Sequence, residues 1–256
     1  MNMIFLGTNG WFGTNTGDTI CTLLKTDDYD IVFDAGSGFY KIDKYIDGTK
    51  PVYLFLSHYH FDHISGLHGL SKIRCNEGLF IVGQPGISDV MNVIANRPFT
   101  VPLDELDYKV KILELPRDQE QIPFEVKALP LLHSDTCFGY RVKVEDLVIV
   151  FCTDTGYCDN AVELSRNADL LIAECSFLPE EEHETWPHLN PETAAAIASE
   201  AHVKRLILTH FDSSRYTDIK MRRIAEEAAQ AVFPRVLVAN DLMDIELWDI
   251  DAAGYF

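Results

Sequence analysis

Three imidazoles and a carboxylate fall between positions 58 and 63, in the stretch Ser57-His58-Tyr59-His60-Phe61-Asp62-His63. Imidazole and carboxylate are the donor types of zinc and related divalent-metal sites. In an extended or turning segment, side chains at i and i+2 point to one side. His58 and His60 can therefore reach one ion, while Asp62 and His63, past the turn, can face a second. The stretch directly follows the apolar run Val52-Tyr53-Leu54-Phe55-Leu56, which suits a strand buried on both faces. The end of such a strand is a usual place for sites in open α/β sheets. That position separates the stretch from an ordinary His-rich surface loop.

Two zinc-type ions need about seven or eight ligand contacts between them, and the loop supplies four residues. The rest are sought at the ends of other apolar runs. His133 follows Ala128-Leu129-Pro130-Leu131-Leu132, Asp154 follows the run from Leu147 to Thr153, and His210 follows Leu206 to Thr209. Each alone reads equally well as a capping aspartate or a hydrogen-bonded histidine. Beside the His58–His63 loop, all three read as ligands.

The elements that must position these residues are legible as alternating short strands and helices. Strands are expected over 4–6, 19–26, 29–33, 52–56, 79–82, 110–115, 124–132, 138–144, 147–152, 170–174, 205–208, 235–238 and 245–248. Helices are expected over 39–46, 64–74, 88–95 with Ser88 as N-cap, 159–166 and 218–231. Another opens at Pro191 behind an Asn190 cap. There is also an internal echo. Ile31-Val32-Phe33-Asp34-Ala35-Gly36 resembles Ile149-Val150-Phe151-Cys152-Thr153-Asp154-Thr155-Gly156, and Leu54-Phe55-Leu56-Ser57-His58 resembles Leu206-Ile207-Leu208-Thr209-His210. Two matches in the same order suggest duplicated β-rich halves, packed face to face with helices outside.

Composition sets the outer limits. The 256 residues are 47% hydrophobic and 24% charged, ordinary for a soluble globular protein, and no linker divides them, so one domain over 1–256 is expected. A formal net charge of −19 disfavours non-specific binding to nucleic acid or anionic membrane. No apolar run is long enough to span a bilayer, and the N-terminus lacks a basic region ahead of an apolar stretch. A cytoplasmic location is expected. The six cysteines form no Cys-x-x-Cys pair and read as reduced core thiols.

The ordered set His58-x-His60-x-Asp62-His63, His133, Asp154 and His210 resembles the metal motifs of the metallo-β-lactamase superfamily of hydrolases, over nearly the whole chain. The resemblance implies an α/β (α+β) fold, the four-layer αββα sandwich, with a dinuclear site at one edge of the two sheets. It implies that His58, His60 and His133 bind the first metal, that Asp62, His63 and His210 bind the second, and that Asp154 bridges them. Two divalent ions are implied, Zn2+ in the first place, with Mn2+ or Fe2+ also compatible with these ligands. A water shared by two such ions loses a proton near neutral pH and becomes the nucleophile, with Asp62 placed to hold its proton.

Within the superfamily, His60 stands where the di-iron redox members carry an acidic residue, and Asp154 where many true β-lactamases carry cysteine. Leu6-Gly7-Thr8, Asp154-Thr155-Gly156, Glu174-Cys175-Ser176, Trp186-Pro187-His188-Leu189-Asn190 and Leu208-Thr209-His210-Phe211 are similar to the phosphodiesterase and transfer-RNA 3′-end endonuclease branch. That resemblance implies that His188 reaches the scissile phosphate and protonates the leaving group, making Asp62 and His188 the catalytic residues. Glu174 is a candidate to orient a site histidine, and Asp34 to stand behind a ligand. The basic, glycine-rich arm of the endonucleases has no counterpart between Val82 and His133. The expected activity is therefore phosphodiester hydrolysis of a cyclic nucleotide or similar small substrate. Neither nucleic acid nor membrane is expected as a partner, and a homodimer is compatible with the chain. The alternatives are an RNA 3′-end processing endonuclease and a non-catalytic metal-binding module of the same fold.

Overall fold

A computed structural model describes residues 1–183 and 185–247. The first run of strands is β1 (Asn2–Gly7), β2 (Asn9–Gly10), β3 (Cys21–Lys25), β4 (Asp30–Phe33), β5 (Val52–Phe55), β6 (Leu79–Gly83) and β7 (Val110–Glu114). The second is β8 (Glu125–Pro130), β9 (Phe138–Val144), β10 (Leu147–Cys152), β11 (Leu170–Glu174), β12 (Arg205–Thr209), β13 (Phe211–Asp212), β14 (Val236–Val238) and β15 (Met243–Glu246). One sheet has the order β15-β1-β3-β4-β5-β6-β7 and the other β14-β12-β11-β10-β9-β8, while β2 and β13 pair separately.

The helices are α1 (Phe61–Ile64), α2 (Ile87–Ile94), α3 (Asp159–Ser165), α4 (Pro191–Glu200) and α5 (Ile219–Gln230). Strand alternation sorts the apolar residues into three buried layers. Phe33, Phe55, Ile149, Phe151, Ile172 and Ile207 meet between the sheets, where Phe33 and Phe151 stack at 4.9 Å. Val32, Leu54 and Ile81 face outward under α2 and two 3-10 helices. Leu171, Leu206 and Leu208 face outward under α3, α4 and α5. Three interfaces between four layers make the expected αββα sandwich. Among the described residues no helix is long and apolar enough to cross a membrane.

The two halves repeat. β1-β3-β4 is antiparallel and β4-β5-β6-β7 parallel; β8-β9-β10 is antiparallel and β10-β11-β12-β14 parallel. This order pairs β4 with β10, so Asp34 and Asp154 are counterparts. It does not pair His58 with His210. The counterpart of β5 is β11, which ends in Glu174, whereas His210 follows β12, one strand further out. The likeness of Leu54–His58 to Leu206–His210 is local: both are parallel strands buried on both faces, and such strands share an apolar composition.

Three helix expectations are corrected. Residues 39–46 and 64–74 were expected as helices and instead form 3-10 helices at Ser37–Lys44 and Ser65–Lys72, the second preceded by the single turn of α1. The Gly38 and Gly66 N–H groups are drawn to Thr19 O and Ala35 O on neighbouring segments, and glycine is a poor α-former. Ser88 is not a cap: Gly86 at φ 89° is the N-cap and α2 begins at Ile87. Asn190 does cap α4, accepting from Thr193 N–H in a reciprocal capping box with Pro191 in the first turn. The expected strand end at Trp248 lies outside the described residues; β15 closes at Glu246.

Candidate metal centre

The His58–His63 loop is fastened to both sheets before it turns. Leu56 O accepts from the Tyr140 hydroxyl at 2.6 Å, and Ser57 O accepts from Phe138 N–H at 2.9 Å; both donors belong to β9. Beyond the turn, His63 O accepts from Ala35 N–H at 2.8 Å. A Cβ on Gly36 would lie 2.1 Å from Asp62 O, so only glycine lets the loop rest on the Asp34 turn. Asp34, Asp154 and His210 all have positive φ, at 56°, 54° and 53°. These left-handed residues turn side chains back over the sheet edge, a conformation that clusters at functional sites.

The seven expected donors converge in two groups. His58, His60, His133 and Asp154 form one, and Asp62, His63, Asp154 and His210 the other, with ligand atoms of each group within 4.8 Å of one another. Asp154 belongs to both. Its Oδ2 lies 3.0 Å from His58 Nε2 and 3.0 Å from His63 Nε2, and its Oδ1 lies 3.1 Å from His210 Nδ1. His63 Nε2 and His210 Nε2 face each other at 3.1 Å, and Asp62 Oδ2 lies 3.5 and 3.4 Å from them. In the other group His133 Nε2 is 3.5 Å from His60 Nδ1. The second group is nearly all buried, whereas His60 is exposed and His133 half-buried.

The donors fit divalent cations better than they fit one another. His58 Nε2, His133 Nδ1 and Asp154 Oδ1 are buried without a hydrogen-bond partner, although two of them lie close to neighbours. Buried polar atoms are seldom left so; here they converge on shared points rather than pairing donor to acceptor. Metal–ligand bonds of about 2.0–2.1 Å in a tetrahedron place ligand atoms about 3.3 Å apart, close to the spacing observed.

Electrostatics agrees. Burial pushes His58 down and His133 down to about 4, so both are neutral and free to coordinate. Burial opposes charge on His63 and His210 too, but the carboxylates beside them outweigh it and raise both. Burial likewise opposes ionisation of Asp62 and Asp154, and the adjacent histidines overcome it, holding both far below the usual carboxylate range. This donor set draws positive charge, which protons or divalent cations can supply.

Around the donors stands a layer of supports. Asp34 Oδ2 accepts from His63 Nδ1 at 2.8 Å, which leaves His63 Nε2 as the free lone pair. Ser57 holds Asp34 through its N–H and hydroxyl, at 2.7 and 2.8 Å. Glu174, fully buried at the end of β11, accepts from Thr155, Ser176 and Leu189 N–H groups and from His188 Nδ1 at 2.8 Å. It therefore both ties the Asp154 turn to β11 and orients a histidine. Asp154, Glu174 and His188 also group within metal-binding distance, but these hydrogen bonds already occupy both Glu174 oxygens. Burial works against charge on His188; Glu174 and Asp154 overcome it and push His188 up to about 9. His188 shares a cavity of about 210 Å³ with His60, Asp62, His133, Asp154 and His210.

Three contributors were not read from the sequence. Trp11 backbone N–H donates to Asp62 Oδ2 at 2.7 Å, from the loop between β2 and β3. Gly10 lies against the His210 ring; a Cβ there would sit 2.5 Å from His210 Cε1. Arg222, on α5, is fully buried and donates to Thr8 Oγ1, Asn9 Oδ1 and Ala239 O, with its guanidinium 4.5 Å from the Phe211 ring. It thereby holds the Thr8–Asn9 segment against the strand that follows His210. Its helical spacing with Ala225 and Ala229, both buried, was the available signal. His68, His183 and His202 belong to neither donor group. All six cysteines are free and five are buried.

A family model described as the beta-lactamase superfamily domain matches residues 29–211. Ribonuclease Z of Bacillus thuringiensis (strain Al Hakam) is 27% identical, over 94% of this chain and 98% of that protein. Among solved structures, the metallo-beta-lactamase fold protein YhfI from Bacillus subtilis is 27% identical with a TM-score of 0.76, covering 95% of this chain and 98% of its own. Human tRNase Z, short form, shares the fold at 23% identity and a TM-score of 0.72, over 96% of this chain and 99% of its own. The family match spans most of the chain and the His/Asp donor cluster lies at the sheet edge, so this protein belongs to the beta-lactamase superfamily and is a metal-dependent hydrolase.

Proposed function

We propose that the protein is a phosphodiesterase acting on small substrates, with two divalent ions, zinc in the first place, in the two donor groups. His58, His60 and His133 would hold one ion, Asp62, His63 and His210 the other, and Asp154 both; Mn2+ or Fe2+ suits the same donors. When bound, such ions supply Lewis acidity and lower the pKa of a water toward neutrality. Asp34 keeps His63 in the tautomer that presents Nε2. Trp11 N–H holds one oxygen of Asp62, leaving the other to accept a proton from a water. His188 donates a proton to the departing ester oxygen. Glu174 takes its Nδ1, so the other ring nitrogen serves the cavity, and the adjacent Glu174 carboxylate favours the protonated, proton-donating ring.

The observation that carries this reading is His188, held from behind by the buried Glu174, on the wall of the cavity that five of the donors also line. A proton donor beside a two-cation site suits an ester whose leaving group departs as an alkoxide. The similarity to Ribonuclease Z, by name an enzyme of RNA and hence of phosphodiesters, supports the same chemistry.

RNA as substrate is the second reading, favoured by that same relative, and the expectation against nucleic acid has no support from it. Two features weigh toward a small substrate. The net charge is −19, and the alignment with Ribonuclease Z runs over 306 residues, more than the 256 of this chain. That relative therefore carries segments with no counterpart here. Zinc- and manganese-loaded protein should hydrolyse bis(p-nitrophenyl) phosphate and cyclic nucleotides, reversibly inhibited by a chelator, and leave precursor transfer RNA intact. Cleavage of the transfer RNA at its 3′ end with no turnover of the small diesters would reverse the order of the two readings.

A further inference from the structure

Two tryptophans stand at the mouth of the site cavity. Trp11 is 60% and Trp186 36% exposed, and both line the cavity with His188 and Asp62. Their rings meet edge to face at 6.5 Å and 89°, forming a corner rather than a slot.

Both indoles are held in place. Trp11 has φ 69°, a left-handed conformation that bulky residues seldom adopt. Its N–H is bound to Asp62, and the neighbouring Gly10 O accepts from the Ser213 hydroxyl at 3.1 Å. The backbone is thus locked with the indole turned out over the cavity. Trp186 is backed by Phe177 at 6.2 Å, by His188 at 5.2 Å and by the Arg215 guanidinium at 5.4 Å. Arg215 is itself engaged by Glu181 and Asp212, so it serves the indole and not a ligand. Two large side chains left in water at a site mouth, Trp11 on a strained backbone and Trp186 backed by its neighbours, suit a partner with a flat π face.

The cavity narrows the class. At about 210 Å³ it is smaller than the roughly 300 Å³ at which small-ligand pockets usually begin. It suits the phosphodiester and its near atoms, with a planar group lying outside against the indoles. No lysine or arginine is among its described lining residues, while Asp62, Asp154 and Asp212 are. Further phosphates would meet acids rather than cations.

We propose that Trp11 and Trp186 form a base-stacking platform, so that the site takes a nucleobase-bearing phosphodiester with a single negative charge and no additional phosphate. This deepens the phosphodiesterase reading and rests on it.

The test uses the metal-loaded full chain with 2′,3′-cyclic AMP and with a ribose 2,3-cyclic phosphate that lacks a base. Base–aromatic stacking of about 1–3 kcal/mol corresponds to roughly 5- to 150-fold in affinity. Trp11→Ala and Trp186→Ala should each raise KM for cyclic AMP by about 10-fold relative to KM for the base-free ester. Trp11→Phe and Trp186→Phe should recover part of it, which separates stacking from misfolding. Equal KM changes on both esters, or none, overturn the platform and leave the phosphodiesterase reading intact. Quenching of tryptophan fluorescence by cyclic AMP, absent with the base-free ester, gives a readout without turnover. If neither ester is hydrolysed the phosphodiesterase reading fails, and the quenching alone then decides the platform. Equal quenching by both, or by neither, overturns it.

Discussion

Asp34 and Asp154 occupy equivalent places in the two sheets, just beyond β4 and β10, where the antiparallel part of each sheet gives way to the parallel part, and each is in the left-handed region, at φ 56° and 54°. Their surroundings differ. Asp34 is satisfied by the Ser57 N–H and hydroxyl and holds His63 Nδ1. Asp154 has an unpartnered Oδ1 and lies among the ring nitrogens of His58, His63 and His210. The cause is on the neighbouring strand end. β5 leads to a serine, which donates to the aspartate beside it. β11 ends in Glu174, which has no proton to give and takes Thr155 N–H instead. On the proposed assignment, one duplicated turn orients a ligand and the other supplies one.

That difference breaks most severely at Asp154. Asp154→Ala should cut turnover by about 10³-fold or more, the scale of lost electrostatic stabilisation at a reacting centre. Metal analysis should show a deficit in both donor groups; full metal content would deny it the shared position. His188→Ala should lower kcat by about 10²-fold, as for a lost general acid, with metal content retained. An equal loss of metal would make it a ligand. Asp34→Asn should weaken metal affinity about 10- to 100-fold, as for other residues that orient ligands. Metal titration should find the weakening in the Asp62–His63–His210 group; an effect as large as that of Asp154→Ala would erase the distinction between the two turns.

Glu174→Gln tests the strand end that makes the halves unlike. His188 is raised to about 9 because carboxylates outweigh burial. Its proton-donating form prevails below that value and is lost as pH rises through it, and bound dications would lower the value. Turnover should therefore fall on the alkaline side, and removing the Glu174 charge should move that limb to lower pH. A pH–rate profile with an unmoved limb would remove His188 from proton transfer. The smallest effect is expected for His68→Ala, within about 2-fold of the parent as for other surface substitutions. His68 is exposed and outside both donor groups.

Much of the site was legible because its donors obey a local rule. Each of His58, His133, Asp154 and His210 follows an apolar run; β5 and β12 are buried on both faces and release their first polar residues at the sheet edge, whereas β8, ahead of His133, is half-exposed. The Asn190-Pro191 cap is local in the same sense, since its reciprocal bonds with Thr193 span three residues. The misjudged helices at 39–46 and 64–74 depended on where Gly38 and Gly66 send their N–H groups, and those acceptors are distant in sequence. The echo between His58 and His210 misled for a related reason: apolar strand composition reports burial and carries no strand order.

What this chain's sequence determined alone is the donor set, the four-layer architecture and the absence of a basic insertion between Val82 and His133. Residue type and hydrophobic periodicity are enough for the donors, whereas the four layers were implied by the internal echo and by the resemblance to the superfamily. The tertiary structure decided which aspartate supports and which is exposed to the imidazoles, that Glu174 holds His188, that Arg222 is buried against the loop at Thr8, and that Trp11 both binds Asp62 and faces the cavity. Each of these depends on hydrogen bonds or contacts between segments far apart in the chain, and their geometry exists only once the two sheets have packed.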